Sequence, residues 1–75
     1  FKNPTDNYAG KLIEEVGLKG FSIGGAQISN MHSNFIVNNG NATSEEIYQL
    51  ITVIQQKVLQ KKGIFLHPEV RMIGY

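Results

Sequence analysis

TSEEIYQLITVIQQKVLQKKG, residues 43–63, carries the signals for both ends of one helix. Thr43 stands where an N-cap hydroxyl is needed. Glu46, three residues on, supplies the reciprocal carboxylate of a capping box. Glu45 and Glu46 put negative charge at the positive end of the helix dipole, and Lys57, Lys61 and Lys62 gather toward its other end. Gly63 then follows, as a helix-ending residue with easy access to positive φ should. Between the caps, Ile47, Leu50, Ile51, Ile54 and Val58 recur at steps of three or four, forming one apolar stripe. A helix with a single apolar stripe needs another layer to cover it.

The residues on either side supply that layer. Asn34-Phe35-Ile36-Val37-Asn38 reads as a strand, closed by the turn chemistry of Asn39-Gly40-Asn41. From Gly20 to Ser29, apolar residues alternate at Phe21, Ile23, Ala26 and Ile28. The Gly24-Gly25 pair weakens the ladder, which predicts one interrupted or bulged strand. Leu12, Ile13 and Val16 predict a helix over 8–16. Gly17 lies at its C-cap, and Leu18 is placed to make the hydrophobic contact beyond it. Gly10 costs that helix about 1 kcal/mol against Ala, so packing or a ligand must require a small residue there. Asn3 before Pro4 is held extended, and Asp6-Asn7 are placed to cap the helix. After Gly63, Ile64-Phe65-Leu66 and Val70-Arg71-Met72-Ile73 are strand-like and are separated by His67-Pro68. The expected fold is α+β: one domain over 1–75, a small two-layer sandwich with a mostly antiparallel or mixed sheet and two helices on one face.

Composition narrows the function. At 41% apolar residues and net charge +1 the chain can build one core and is not of disordered type. Seven Lys/Arg against six Asp/Glu leave no basic stripe for a nucleic-acid backbone. The Lys57, Lys61, Lys62 cluster is accounted for by the helix end. Without cysteine there is no disulfide framework and no thiolate metal site, which fits a reducing compartment. No apolar run is long enough to span a membrane.

Few side chains bear catalytic chemistry. His32 and His67 lie far apart in sequence and have no i, i+4 partner, so no metal site is expected. Ile23-Gly24-Gly25-Ala26 lacks the spacing of a dinucleotide fingerprint and reads first as a bulge. Glu69 and Arg71 share one face of their strand, by period 2. Such a pair is either a solvent-facing ion pair or part of a site. These residues by themselves specify an α+β domain without assigned chemistry.

Taken in order, the segments resemble a family. Phe1-Lys2-Asn3-Pro4 is similar to the end of the Gly-Ser-x-Phe-Lys-Asn-Pro motif of the UDP-N-acetylenolpyruvoylglucosamine reductases, the MurB family. Ala9-Gly10-Lys11-Leu12-Ile13-Glu14 and Gly17-Leu18-Lys19-Gly20 resemble the first helix of that family's C-terminal domain and its exit. Ile23 to Ser29, His32, Asn34 to Asn38, Pro68-Glu69-Val70-Arg71 and Ile73-Gly74 follow at family spacing, so the resemblance covers essentially all 75 residues.

The resemblance implies an NADPH- and FAD-dependent oxidoreductase of the bacterial cytoplasm. Its reaction reduces UDP-N-acetylglucosamine enolpyruvate to UDP-N-acetylmuramate in peptidoglycan synthesis. It implies a catalytic role for Glu69 and substrate-binding roles for Asn3, His32, Arg71 and Gln27, with Lys11 a looser candidate. The family's proton donor, a Ser or Cys, lies two residues before the motif's Phe, upstream of Phe1. This sequence is therefore expected to be the substrate-binding domain alone. It is expected to bind neither FAD nor NADPH and to be inactive without the FAD-binding domain, its expected partner. Nucleic acid and membrane are not expected partners. The competing reading is a free-standing interaction module that meets an acidic partner through its lysine-rich helix end.

Overall fold

A computed structural model describes residues 1–69 of the chain. The elements run α1 (Ala9–Glu15), β1 (Ser22–Ile23), β2 (Ala26–Ile28), β3 (Ile36–Asn38) and α2 (Ser44–Lys62). The three strands form one antiparallel sheet in the order β1-β2-β3, with Ser22 opposite Gln27 and Ile28 opposite Ile36. The α+β class and the antiparallel sheet with two helices agree with the sequence reading.

The long helix forms as its caps dictate. The Thr43 hydroxyl accepts from the Glu46 N–H, the Glu46 carboxylate accepts from the Thr43 N–H, and Gly63 closes the helix at φ 69°. Leu50, Ile54 and Val58 are fully buried along it, while Ile51 is only half-buried and Val53 packs at the core margin. The short helix ends in a Schellman motif, in which Gly17 N–H donates to Glu14 O and Leu18 N–H to Ile13 O. Its Ala9, Leu12 and Ile13, with Leu18, join Ala26 and Ile28 of β2 and the α2 stripe in one core.

Three expectations are corrected. Gly24-Gly25 is not a bulge in one strand but the turn of the β1–β2 hairpin, because Ile23 pairs with Ala26 across it. Ile64-Phe65-Leu66 has strand-like composition but no ladder. Leu66 instead plugs the core, and its carbonyl accepts from Gln55 Nε2. Asp6-Asn7 do not cap α1; the Asn3 side chain does, accepting from the Ala9 N–H at 2.9 Å. The strand expected over 70–73 lies outside the described residues.

Candidate functional site

The opening segment, residues 1–3, is held on three sides. Asn34 takes both backbone groups of Phe1: its Oδ1 accepts from the Phe1 nitrogen at 2.8 Å and its Nδ2 donates to the Phe1 carbonyl at 3.0 Å. Lys2 N–H donates to the carbonyl of His67 at 2.9 Å. Asn3 Oδ1 accepts from Ala9 at the start of α1. The segment thus runs beside residues 67–69. Burial holds the Phe1 amino group below its ordinary value, against the opposing pull of the Glu69 carboxylate. Asn3 and Glu69, far apart in sequence, thus flank the bond between Lys2 and His67, and both are exposed.

The same Asn34 lines a groove of about 340 Å³ between α1 and the β2–β3 loop. Gly10, Lys11, Glu14 and Lys19 form one wall, and Met31, His32, Ser33, Asn34 and Phe35 the other. The loop wall is shaped by Ser29, whose Oγ accepts from the N–H groups of Met31 and His32 at 3.1 and 3.2 Å. This turn leaves His32 exposed, with its ring edge-on to Phe35 at 5.6 Å. Packing does not demand glycine at position 10, since a Cβ there would sit 3.5 Å from Asn34 Cβ, in ordinary contact. Lys11 shares this groove with His32, while Lys19 is bonded to Glu14 at 2.9 Å.

Gln27 lies apart. It points away from the core between buried Ala26 and Ile28, and both ends of its amide are engaged: Nε2 donates to Gly20 O at 2.9 Å, and Oε1 accepts from Asn39 Nδ2. Gly24-Gly25 offers no phosphate cradle, because the Gly25 N–H already donates to the Glu46 carboxylate. Arg71, and with it the expected Glu69–Arg71 pairing, lies outside the described residues. Among the described residues no group of three or more His, Cys, Asp or Glu side chains is placed to hold a metal ion. No helix among them is long and apolar enough to cross a membrane. Reading the sequence left Asn34 without a role. Its signal, a buried serine followed by an asparagine entering a strand, becomes legible only when the partner 33 residues away is known.

Comparison with known proteins gives the context of this geometry. The sequence matches the family description "UDP-N-acetylenolpyruvoylglucosamine reductase, C-terminal domain" over residues 1–73. The UDP-N-acetylenolpyruvoylglucosamine reductase of Prochlorococcus marinus subsp. pastoris is 80% identical over 75 residues, which are 100% of this chain and 25% of that protein. The reductase of Chlamydia felis is 61% identical over 75 residues, again 100% and 25%. The crystal structure of UDP-N-acetylenolpyruvylglucosamine reductase (MurB) from Thermus caldophilus superimposes with a TM-score of 0.73 at 48% identity, covering 75% of this chain and 21% of that one. The chain therefore spans about a quarter of the length of the curated relatives it matches. It belongs to the UDP-N-acetylenolpyruvoylglucosamine reductase family and is similar throughout to that family's C-terminal domain.

Proposed function

We propose that this chain is the substrate-binding domain of a reductase that converts UDP-N-acetylglucosamine enolpyruvate to UDP-N-acetylmuramate in the bacterial cytoplasm, for peptidoglycan synthesis. The observation that supports this reading is the bond of Lys2 to the His67 carbonyl, which brings the opening segment beside residue 67, with Asn34 linking Phe1 to the groove that holds His32. Segments from distant parts of the sequence, each carrying an exposed polar side chain, are linked in this way.

The described residues do not fit a flavin or a nicotinamide nucleotide. The one glycine pair with exposed character is packed against Glu46, and no helix N-terminus follows it as a dinucleotide requires. In this reading FAD and NADPH belong to the FAD-binding domain of the same enzyme. The flavin supplies the redox chemistry when bound there, and this chain supplies placement and charge.

Glu69 is assigned the catalytic role of assisting protonation at C2 of the enolpyruvyl group, either by orienting the proton donor or by balancing the enol-like intermediate. Asn3 spends its Oδ1 on α1 and retains two amide hydrogens as donors to the substrate. His32 is assigned to the substrate's polar groups from the groove side, and Arg71 to the enolpyruvyl carboxylate, which suits a guanidinium fork. Gln27, held by bonds to Gly20 and Asn39, has one amide hydrogen left to offer the substrate.

The test is Glu69→Gln in a reductase carrying this domain. We expect kcat to fall about 10²- to 10⁴-fold, with the KM for the UDP-sugar changed far less. A kcat within a few-fold of the parent enzyme would remove Glu69 from the chemistry.

A further inference from the structure

We propose that Asn34 is a positioning residue for this site: its carboxamide fixes the opening segment, and with it Asn3, relative to Glu69 and the His32 groove. The inference rests on the function proposed above. A carboxamide carries one acceptor and one donor group in the same spacing as a peptide unit. Asn34 uses both on a single residue, accepting from the nitrogen of Phe1 at 2.8 Å and donating to its carbonyl at 3.0 Å. It therefore acts as one rung of a strand partner for a segment that has no ladder there. In a longer polypeptide the Phe1 nitrogen is a peptide N–H and can make the same bond.

Geometry gives this rung its leverage. Phe1 and Asn34 are separated by 33 residues, and Asn34 is half-buried against Gly10 of α1. On the far side of Phe1, Lys2 is bonded to His67 and Asn3 to Ala9. Asn34 also lines the groove two residues from His32. It is thus the side chain that ties the groove wall to the segment lying beside Glu69. Without it the segment keeps its bonds to His67 and Ala9 but loses the one that fixes its approach from the loop side. Displacing a reacting group by about 1 Å costs on the order of 10²-fold in rate, so a positioning residue should be read in turnover more than in affinity.

The experiment compares Asn34→Ala and Asn34→Asp with Ile36→Ala in a full-length reductase carrying this domain. All are assayed well below their thermal midpoints. Ile36→Ala trims the half-buried side chain of β3 and serves as the control for a merely structural loss. We expect both Asn34 variants to lose about 10- to 100-fold in kcat, with KM for the UDP-sugar within about threefold, while Ile36→Ala keeps kcat near that of the parent. The Asp variant matters because it keeps the acceptor and loses the donor, so it tests the two-bond rung even if the Ala variant does not fold. As a readout independent of turnover, amide hydrogen exchange at Lys2 and Asn3 should accelerate at least tenfold in Asn34→Asp relative to Ile36→Ala. Asn34 variants with kcat within twofold of the parent, or Ile36→Ala losing as much kcat as they do, would overturn the inference. A parent enzyme unable to reduce the UDP-sugar would instead overturn the proposed function.

Discussion

Glu46 ties a turn to a helix with one carboxylate oxygen. Its Oε1 accepts from Thr43 N–H at 3.0 Å, closing the capping box, and from Gly25 N–H at 3.3 Å, holding the β1–β2 hairpin against the start of α2. The fit explains Gly24, whose φ is +56° and where a Cβ would fall 1.9 Å from Glu46 Oε2. The backbone donors, Thr43 first and then Gly25, favour the ionised carboxylate and hold its pKa below the ordinary value. A carboxyl whose folded pKa is depressed contributes stability above its unfolded pKa and loses it as pH falls through the folded one. The thermal midpoint should therefore drop as the pH is taken from about 5 to about 3, below the ordinary glutamate value. Glu46→Gln should flatten that slope. Parallel profiles for the two proteins between those pH values would show that the carboxylate's charge is not what secures the turn.

For the elements, legibility followed how local the determining signal was. The α2 helix was readable to within a residue because its cap, dipole charges and C-terminal glycine all lie within its own sequence. So was the end of α1, where Gly17 and Leu18 complete a Schellman motif. The β1–β2 hairpin was not, because two glycines between alternating apolar residues serve equally for a bulge and a turn, and what decides is Glu46, 21 residues away. Ile64 to Leu66 misled for a related reason: apolar character there meets a demand for core volume rather than for a ladder, and Gln55 satisfies the Leu66 carbonyl. The α2 stripe also has an energetic consequence. Ile54 is fully buried at its centre, whereas Tyr48 is 73% exposed on the same helix. Ile54→Ala should cost about 2–5 kcal/mol, a large share of the roughly 4–11 kcal/mol expected for a chain of this length. Tyr48→Ala should stay within about 0.5 kcal/mol. Urea unfolding of both variants distinguishes them, and similar midpoints would mean that the stripe is not the core's main support.

At the scale of the whole molecule, the candidate site was partly legible: the residue types of Asn3, His32 and Glu69 came from family resemblance, but no periodicity indicated that residues 1–3 lie beside residue 67. That meeting is made by hydrogen bonds between distant residues, Phe1 with Asn34 and Lys2 with His67, together with the Asn3 cap on Ala9. These four bonds hold the opening segment on the fold, whereas the Lys62–Glu15 ion pair at 3.2 Å joins the helices through half-exposed side chains. The two kinds of link should differ in strength. Each satisfied hydrogen bond is worth about 0.5–1.5 kcal/mol net, so starting the chain at Pro4 should cost about 2–6 kcal/mol. An exposed ion pair contributes about 0–1 kcal/mol. For a domain of this size 1 kcal/mol moves the midpoint by roughly 4–8 °C. Deleting residues 1–3 should therefore lower the midpoint by at least about 8 °C, and Lys62→Ala by about 8 °C at most. Calorimetry on both chains at one pH decides the matter. A deletion that shifts the midpoint no further than Lys62→Ala would mean that the opening segment rests on the fold without stabilising it. The approach of residues 1–3 to residue 67 would then have to be fixed by other contacts.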